Sequence, residues 1–111
     1  MECDGNRTSQ TSEERFFKIG SLYVSPSRHE VKVDNNYIIL TLKEFDLLCL
    51  LLSNQGLVLT RDRIFTKVWG YAFDGKNRTV DVHIRTLRQK LGEAGKYIKT
   101  IRGVGYKIDI T

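Results

Sequence analysis

The chain has 111 residues, of which 41% are apolar and 10% aromatic, and 18 Lys and Arg against 13 Asp and Glu give a net charge of +5. That length holds one domain, with or without a tail, and the apolar content excludes a wholly disordered chain. The charge is uneven: residues 1–15 carry two basic and four acidic groups, residues 16–59 four of each, and residues 60–111 twelve basic against five acidic. The excess of cations lies in the C-terminal half, which points to an anionic partner without separating nucleic acid from a membrane surface.

Residues 1–14 are polar and read as a flexible linker or tail, leaving 15–111 as the folded domain. No apolar stretch in MECDGNRTSQTSEER suits a secretory signal, and the longest apolar run, Leu47 to Leu52, is far too short for a bilayer span. No membrane association is expected, and Cys49, inside an apolar helical run, reads as a small core residue of a soluble cytoplasmic protein. Cys3 in the polar tail is not a partner for it. His29 and His83 have no Cys, Asp or Glu at metal-ligand spacing, so neither a metal nor another cofactor is expected.

From Phe16 to Leu40, the pieces FFKI, LYVS, EVKV and YIIL alternate with turn residues, and the short spacing predicts a four-stranded antiparallel meander. Thr41 to Glu44 form a capping box, with Leu40 and Phe45 placed as a hydrophobic staple, and open a largely apolar helix to about Asn54. Thr60 caps a second helix whose stripe Ile64, Phe65, Val68 and Trp69 ends at Gly70. Asn77 is placed to cap a third helix, RTVDVHIRTLRQKLG, that stops near Gly92 or Gly95. YIKTI and YKIDI around the RGVG turn predict a closing hairpin. The fold class is therefore α+β.

The third helix carries the chemistry. Val80, Ile84, Leu87 and Leu91 make one narrow core stripe, and the opposite face holds Arg78, Thr79, Val82, Arg85, Thr86 and Gln89. That face has guanidinium and hydrogen-bonding groups, no carboxylate, and an isolated valine that an ordinary solvated face would rarely present. A helix in the DNA major groove uses this set, with Arg against phosphate or guanine, Thr against phosphate or base edge, and Val against a thymine methyl. The short helix before it suggests a helix-turn-helix unit, although YAFDGKN is a long turn. Arg102 at the hairpin tip, flanked by Lys99 and Lys107, is placed to enter an adjacent minor groove.

Other readings of these residues are weaker. GVG leads into a strand and not a helix, so it lacks the dipole and aligned amides of a phosphate loop. His83 flanks the core stripe and reads equally as a hydrogen-bonded structural histidine or a DNA contact. Asp81 and Glu93 read as capping or ion-pair partners, and no carboxylate cluster or nucleophile arrangement suggests an enzyme. Tyr71 and Phe73 share one loop and form no sheet platform for RNA bases. The remaining alternative is a protein-interaction module that docks an acidic partner through its basic face.

The segments LTLKEFDLLCLLLSNQG, TRDRIFTKVWG and TVDVHIRTLRQKLG…YIKTIRGVGYKI resemble the C-terminal effector domain of OmpR/PhoB-type two-component response regulators, from about Phe17 to Ile108. The resemblance implies a winged helix-turn-helix: an N-terminal four-stranded antiparallel sheet, three helices and a C-terminal β-hairpin wing. It implies sequence-specific binding of double-stranded DNA, transcription regulation as the output of a phosphorelay, and a dimer on DNA. By position, it directs Val82, His83 and Thr86 towards bases, and Arg78, Thr79, Arg85, Arg88 and Thr100 towards phosphates. It sends Arg102 into the minor groove. The loop of Tyr71, Ala72, Phe73, Asp74, Gly75 and Lys76 would touch RNA polymerase. Thr86 stands where a relative has Arg, so the preferred base does not carry over. The resemblance also implies a receiver domain in the full-length protein, absent from these 111 residues.

Overall fold

Strand propensity and tight turns build the first layer. The computed structural model describes residues 16–70 and 78–109. In it, β1 (Phe17–Ile19), β2 (Leu22–Ser25), β3 (Glu30–Val33) and β4 (Asn36–Tyr37) form an antiparallel sheet in the order β1-β2-β3-β4. Ile19 pairs with Leu22, Leu22 with Val33 and Val24 with Val31, which collects the buried apolar side chains on one face. On the other face Lys18, Tyr23, Lys32 and Tyr37 pair in a single row. The Lys32 ammonium lies 5.6 Å from the Tyr23 ring centroid and 4.9 Å from that of Tyr37.

The fourth strand is shorter than the YIIL run predicts. Asp34 and Asn35, at φ 51° and 67°, make a two-residue turn of the kind that needs positive φ at both positions, so pairing restarts already at Asn36. The Ile38 amide still donates to the Val31 carbonyl at 2.8 Å, and the chain then leaves the sheet to reach the helix cap at Thr41. Ile39 is left 87% exposed at that departure.

Helix α1 (Leu42–Ser53) has the predicted capping box. The Glu44 amide donates to Thr41 Oγ1 at 3.3 Å and the Thr41 amide to Glu44 Oε1 at 2.9 Å. Its Phe45, Leu47, Leu48, Leu51 and Leu52 are buried, and Leu40 packs against the same core. Cys49 is half-buried and also packs there; burial, with the nearby Asp46 carboxylate, pushes its thiol up to about 11. Helix α2 (Arg61–Trp69) starts at the predicted cap, with the Arg63 amide donating to Thr60 Oγ1 at 3.1 Å, and ends at Gly70 in the left-handed region. Helix α3 (Thr79–Leu91) has Arg78 at its N-cap position without a side-chain cap bond; Asn77 lies outside the described residues. A 3-10 turn (Gly92–Tyr97) follows at once and delivers the chain to β6 (Ile98–Ile101) and β7 (Gly105–Ile108).

The closing element is a three-stranded sheet and not a lone hairpin. A two-residue strand β5 (Leu59–Thr60), just ahead of α2, pairs with β7 in the order β5-β7-β6. Two residues carry no periodic signal, so only their pairing partner reveals them. The two glycines of RGVG serve different needs. Gly103 takes φ 76° in the turn, whereas a Cβ on Gly105 would collide with the Leu59 carbonyl across the β5–β7 pair. One hydrophobic cluster joins the inner face of the first sheet, the three helices and the closing sheet. Val80, Ile84, Leu87 and Leu91 are all 1% exposed or less, each stabilising the fold by roughly 1.5–3 kcal/mol. This is the winged-helix architecture.

Candidate nucleic-acid interface

Burial of that stripe decides what α3 can offer outward. With four residues locked into the core, the opposite side presents Arg78, Val82, Arg85 and Gln89 to solvent, and Val82 is 52% exposed. The side chains of Arg85 and Gln89 have no hydrogen-bond or ion-pair partner among the described residues. Asp81 is the only acid of the helix, and it points away from this face. It accepts from Arg61 Nε at 2.7 Å and from the Tyr106 hydroxyl at 2.5 Å. Burial would raise its pKa, but the bonds from Tyr106 and Arg61 and the charges of Arg61 and Arg78 outweigh that and lower it. An ionised, doubly bonded Asp81 therefore joins α3 to the start of α2 and to the wing strand β7. The face seen by a partner stays free of negative charge.

The two flanks of the face are tied to the scaffold. On one flank, the Thr86 hydroxyl donates to Glu44 Oε2 at 2.9 Å and lies 3.1 Å from the His83 carbonyl, while Lys90 Nζ meets Glu44 Oε1 at 2.7 Å. Glu44 is only 4% exposed. Burial alone would raise its pKa; bonds from Lys90, the Thr41 amide and Thr86, with the Lys90 charge, hold it down at about 2. His83 is half-buried: Nδ1 lies 2.8 Å from the Thr79 carbonyl, and the ring meets Trp69 edge-on at 4.9 Å. A carbonyl only accepts, so Nδ1 carries the proton and Nε2 is left as the outer nitrogen. Trp69 in turn stacks on Phe65 at 5.2 Å.

On the other flank, Arg88 donates to the Ile98 carbonyl from Nη2 at 2.7 Å and from Nε at 3.2 Å, and to Thr100 Oγ1 at 2.8 Å. These bonds clamp α3 to β6. They orient the Thr100 hydroxyl as an acceptor towards Arg88 and leave its own proton available. At the hairpin tip Arg102 is exposed in the turn, with Val104 47% exposed beside it. Lys99 and Lys107 sit directly opposite each other across β6 and β7, and the Lys107 ammonium lies 4.0 Å from the Asp109 carboxylate.

The structure places Thr79, Val82, His83, Arg85, Thr86 and Arg88 on α3, Arg78 at its N-cap position, and Thr100 and Arg102 on the wing, with α3 and the wing joined by the Arg88–Thr100 bond. It divides them into outward-projecting residues (Arg78, Val82, Arg85, Arg102) and residues already bonded to the scaffold (His83, Thr86, Arg88, Thr100), with Thr79 half-buried and its carbonyl accepting from His83. The loop from Tyr71 to Lys76 lies outside the described residues. Sequence reasoning missed Glu44 as a brace for α3. Its capping-box signal is local, whereas its bonds to Thr86 and Lys90 span 42 and 46 residues.

The family model for transcriptional regulatory protein C-terminal domains matches residues 34–108. The chain belongs to this family. These are the effector domains of OmpR/PhoB-type response regulators. Among relatives, the chain is 46% identical over 93 residues to the regulatory protein VanRB of Enterococcus faecalis, covering 84% of this chain and 41% of VanRB. It is 47% identical over 94 residues to the alkaline phosphatase synthesis transcriptional regulatory protein PhoP of Bacillus subtilis, covering 82% of this chain and 39% of PhoP. Among solved structures, the Klebsiella pneumoniae RstA DNA-binding domain in complex with RstA box superposes with a TM-score of 0.81 at 31% identity, covering 87% of this chain and 99% of that one. The chain spans less than half the length of these two curated relatives. Among the described residues no helix is long and apolar enough to cross a membrane.

Proposed function

We propose that this chain binds double-stranded DNA sequence-specifically and regulates transcription as the output domain of a two-component response regulator. The observation that carries the reading is the outward face of α3, where Arg78, Val82, Arg85 and Gln89 project and the only acid of the helix is turned inward and neutralised. The exposed Arg102 at the wing tip supports it, because a guanidinium there can enter a minor groove. So does the similar RstA domain, whose structure contains its DNA box.

In this reading α3 lies in the major groove. Val82 faces bases directly, while His83 and Thr86 approach them from the tied flank. Arg78, Thr79 and Arg85 meet phosphates. Arg88 and Thr100 act as a pair in which Arg88 fixes the hydroxyl that Thr100 offers to the backbone. Arg102 enters the adjacent minor groove from the wing. The partners that go with this role are RNA polymerase through residues 71–76, a second copy on paired half-sites, and a receiver domain in the full-length protein. No catalytic residue is assigned.

Selection from random duplexes at a stated salt concentration tests the proposal. A defined half-site is the expected result; recovery of no consensus, with binding to an acidic protein undisturbed by competing duplex, would favour the docking module instead.

A further inference from the structure

Gln89 is exposed on α3, a neutral hydrogen-bonding side chain that the helix projects without a partner among the described residues. It follows Val82 by seven residues, which at about 100° per residue brings it to within about 20° of the same azimuth, about 10.5 Å further along the axis. Its neighbours on either side are occupied. Thr86 and Lys90 bond to Glu44, and Arg88 bonds to Ile98 and Thr100. The core stripe, 1% exposed or less, prevents the helix from rolling to hide it. Gln89 itself is exposed and its amide has no partner among the described residues.

We infer that Gln89 is a specificity-determining residue that reads adenine in the major groove. A primary amide offers one acceptor and two donors in one plane, matching the N6 amino group and N7 of adenine in a bidentate pair. Arg85, four residues earlier and also unpartnered, supplies phosphate affinity on the same side without information about sequence. The outward line of the helix is then one methyl-contacting residue, Val82, and one amide reader, Gln89, with the tied threonine between them. This inference rests on the proposal that α3 enters the major groove.

The test is random-duplex selection at fixed salt on the wild-type chain, Gln89→Ala, Gln89→Glu and Val82→Ala. Expected for Gln89→Ala is loss of an adenine preference at one position of the half-site, distinct from the position that Val82→Ala relaxes, with about a tenfold fall in discrimination there. Gln89→Glu should move the preference at that same position to cytosine, whose N4 amino group a carboxylate accepts from. The salt dependence should stay as in the wild type for Gln89→Ala, because no charge is removed. An unchanged consensus in both Gln89 variants, while Val82→Ala alters it, overturns the inference and leaves the α3 reading standing. Uniform weakening over all sequences in Gln89→Ala would make it a backbone contact and also overturn it. A consensus unaltered in all three variants sinks the α3 reading itself.

Discussion

The Thr86 hydroxyl and the Glu44 carboxylate meet at 2.9 Å, so a residue of α3 is held by the capping-box acid of a different helix. One buried carboxylate closes the N-terminus of α1, orients Thr86 and neutralises Lys90. Replacing it removes all three at once. For Glu44→Ala the expected loss is about 2–3 kcal/mol, from a missing cap and unsatisfied polar partners, with Lys90 free to swing into solvent. Glu44→Gln keeps a side chain competent for the cap and should cost less, about 1 kcal/mol. Urea unfolding midpoints at neutral pH measure both.

The same carboxylate sets an acid limit. Its pKa of about 2 in the folded chain lies below the ordinary 4.5, so its contribution is fully present above 4.5 and is lost as pH falls towards 2. Asp81, also lowered from 3.8, adds in the same direction. Stability followed by urea titration should fall on acidification below about pH 4.5, and Glu44→Gln should flatten that fall. An equally steep fall in the Gln variant would remove Glu44 as its source.

The bond from Tyr106 to Asp81 couples the wing to α3. Tyr106→Phe leaves Arg61 in place and should cost about 1 kcal/mol in stability. Because β7 and α3 then lose a direct link, affinity for the selected duplex should fall more than this stability loss explains at temperatures where the variant is fully folded. Fluorescence titration of a labelled duplex gives the affinity, and circular dichroism at the same temperature confirms the fold.

Arg85 and Arg88 separate charge that is offered from charge already in use. Arg85→Ala should weaken all sequences alike and reduce the salt slope by about one unit. Arg88→Ala should cost stability instead, about 1–2 kcal/mol, since its guanidinium holds Ile98 and Thr100. Its salt slope should change less than that of Arg85→Ala. Equal slopes for the two variants would show that Arg88 reaches the backbone as freely as Arg85.

Gly105 and Gly103 differ in a way that one substitution each reveals. Gly105→Ala drives a methyl into the Leu59 carbonyl and should separate β5 from β7, costing about 2 kcal/mol or more. Gly103→Ala meets no neighbour and pays only for its positive φ, about 1 kcal/mol. Thermal melts of the two variants order them.

Much of this molecule follows from rules that act over a few residues. Thr41 with Glu44, Thr60 and Gly70 mark helix ends by hydrogen bonds to their own backbone neighbourhood, and all three lie where local chemistry places them. The stripe Val80, Ile84, Leu87 and Leu91 follows from helical periodicity, and so does the face opposite it. The strand at Leu59–Thr60 and the early end of β4 were not legible, because each depends on a partner strand or on the path into a cap.

The amino-acid sequence by itself determined which residues of α3 could turn outward, since 3.6-residue periodicity and a four-residue core stripe leave only one opposite face. Only the tertiary structure decided which of those residues are available. On that face Thr86 is claimed by Glu44, whereas Val82, Arg85 and Gln89 are left to solvent; beside it, Arg88 is claimed by Ile98 and Thr100, and Asp81 by Arg61 and Tyr106. The reason is physical. A side chain's periodic position is set by its own helix, but its hydrogen-bond partners come from α1, α2 and the wing, up to 42 residues away from Thr86 and placed beside α3 only by folding.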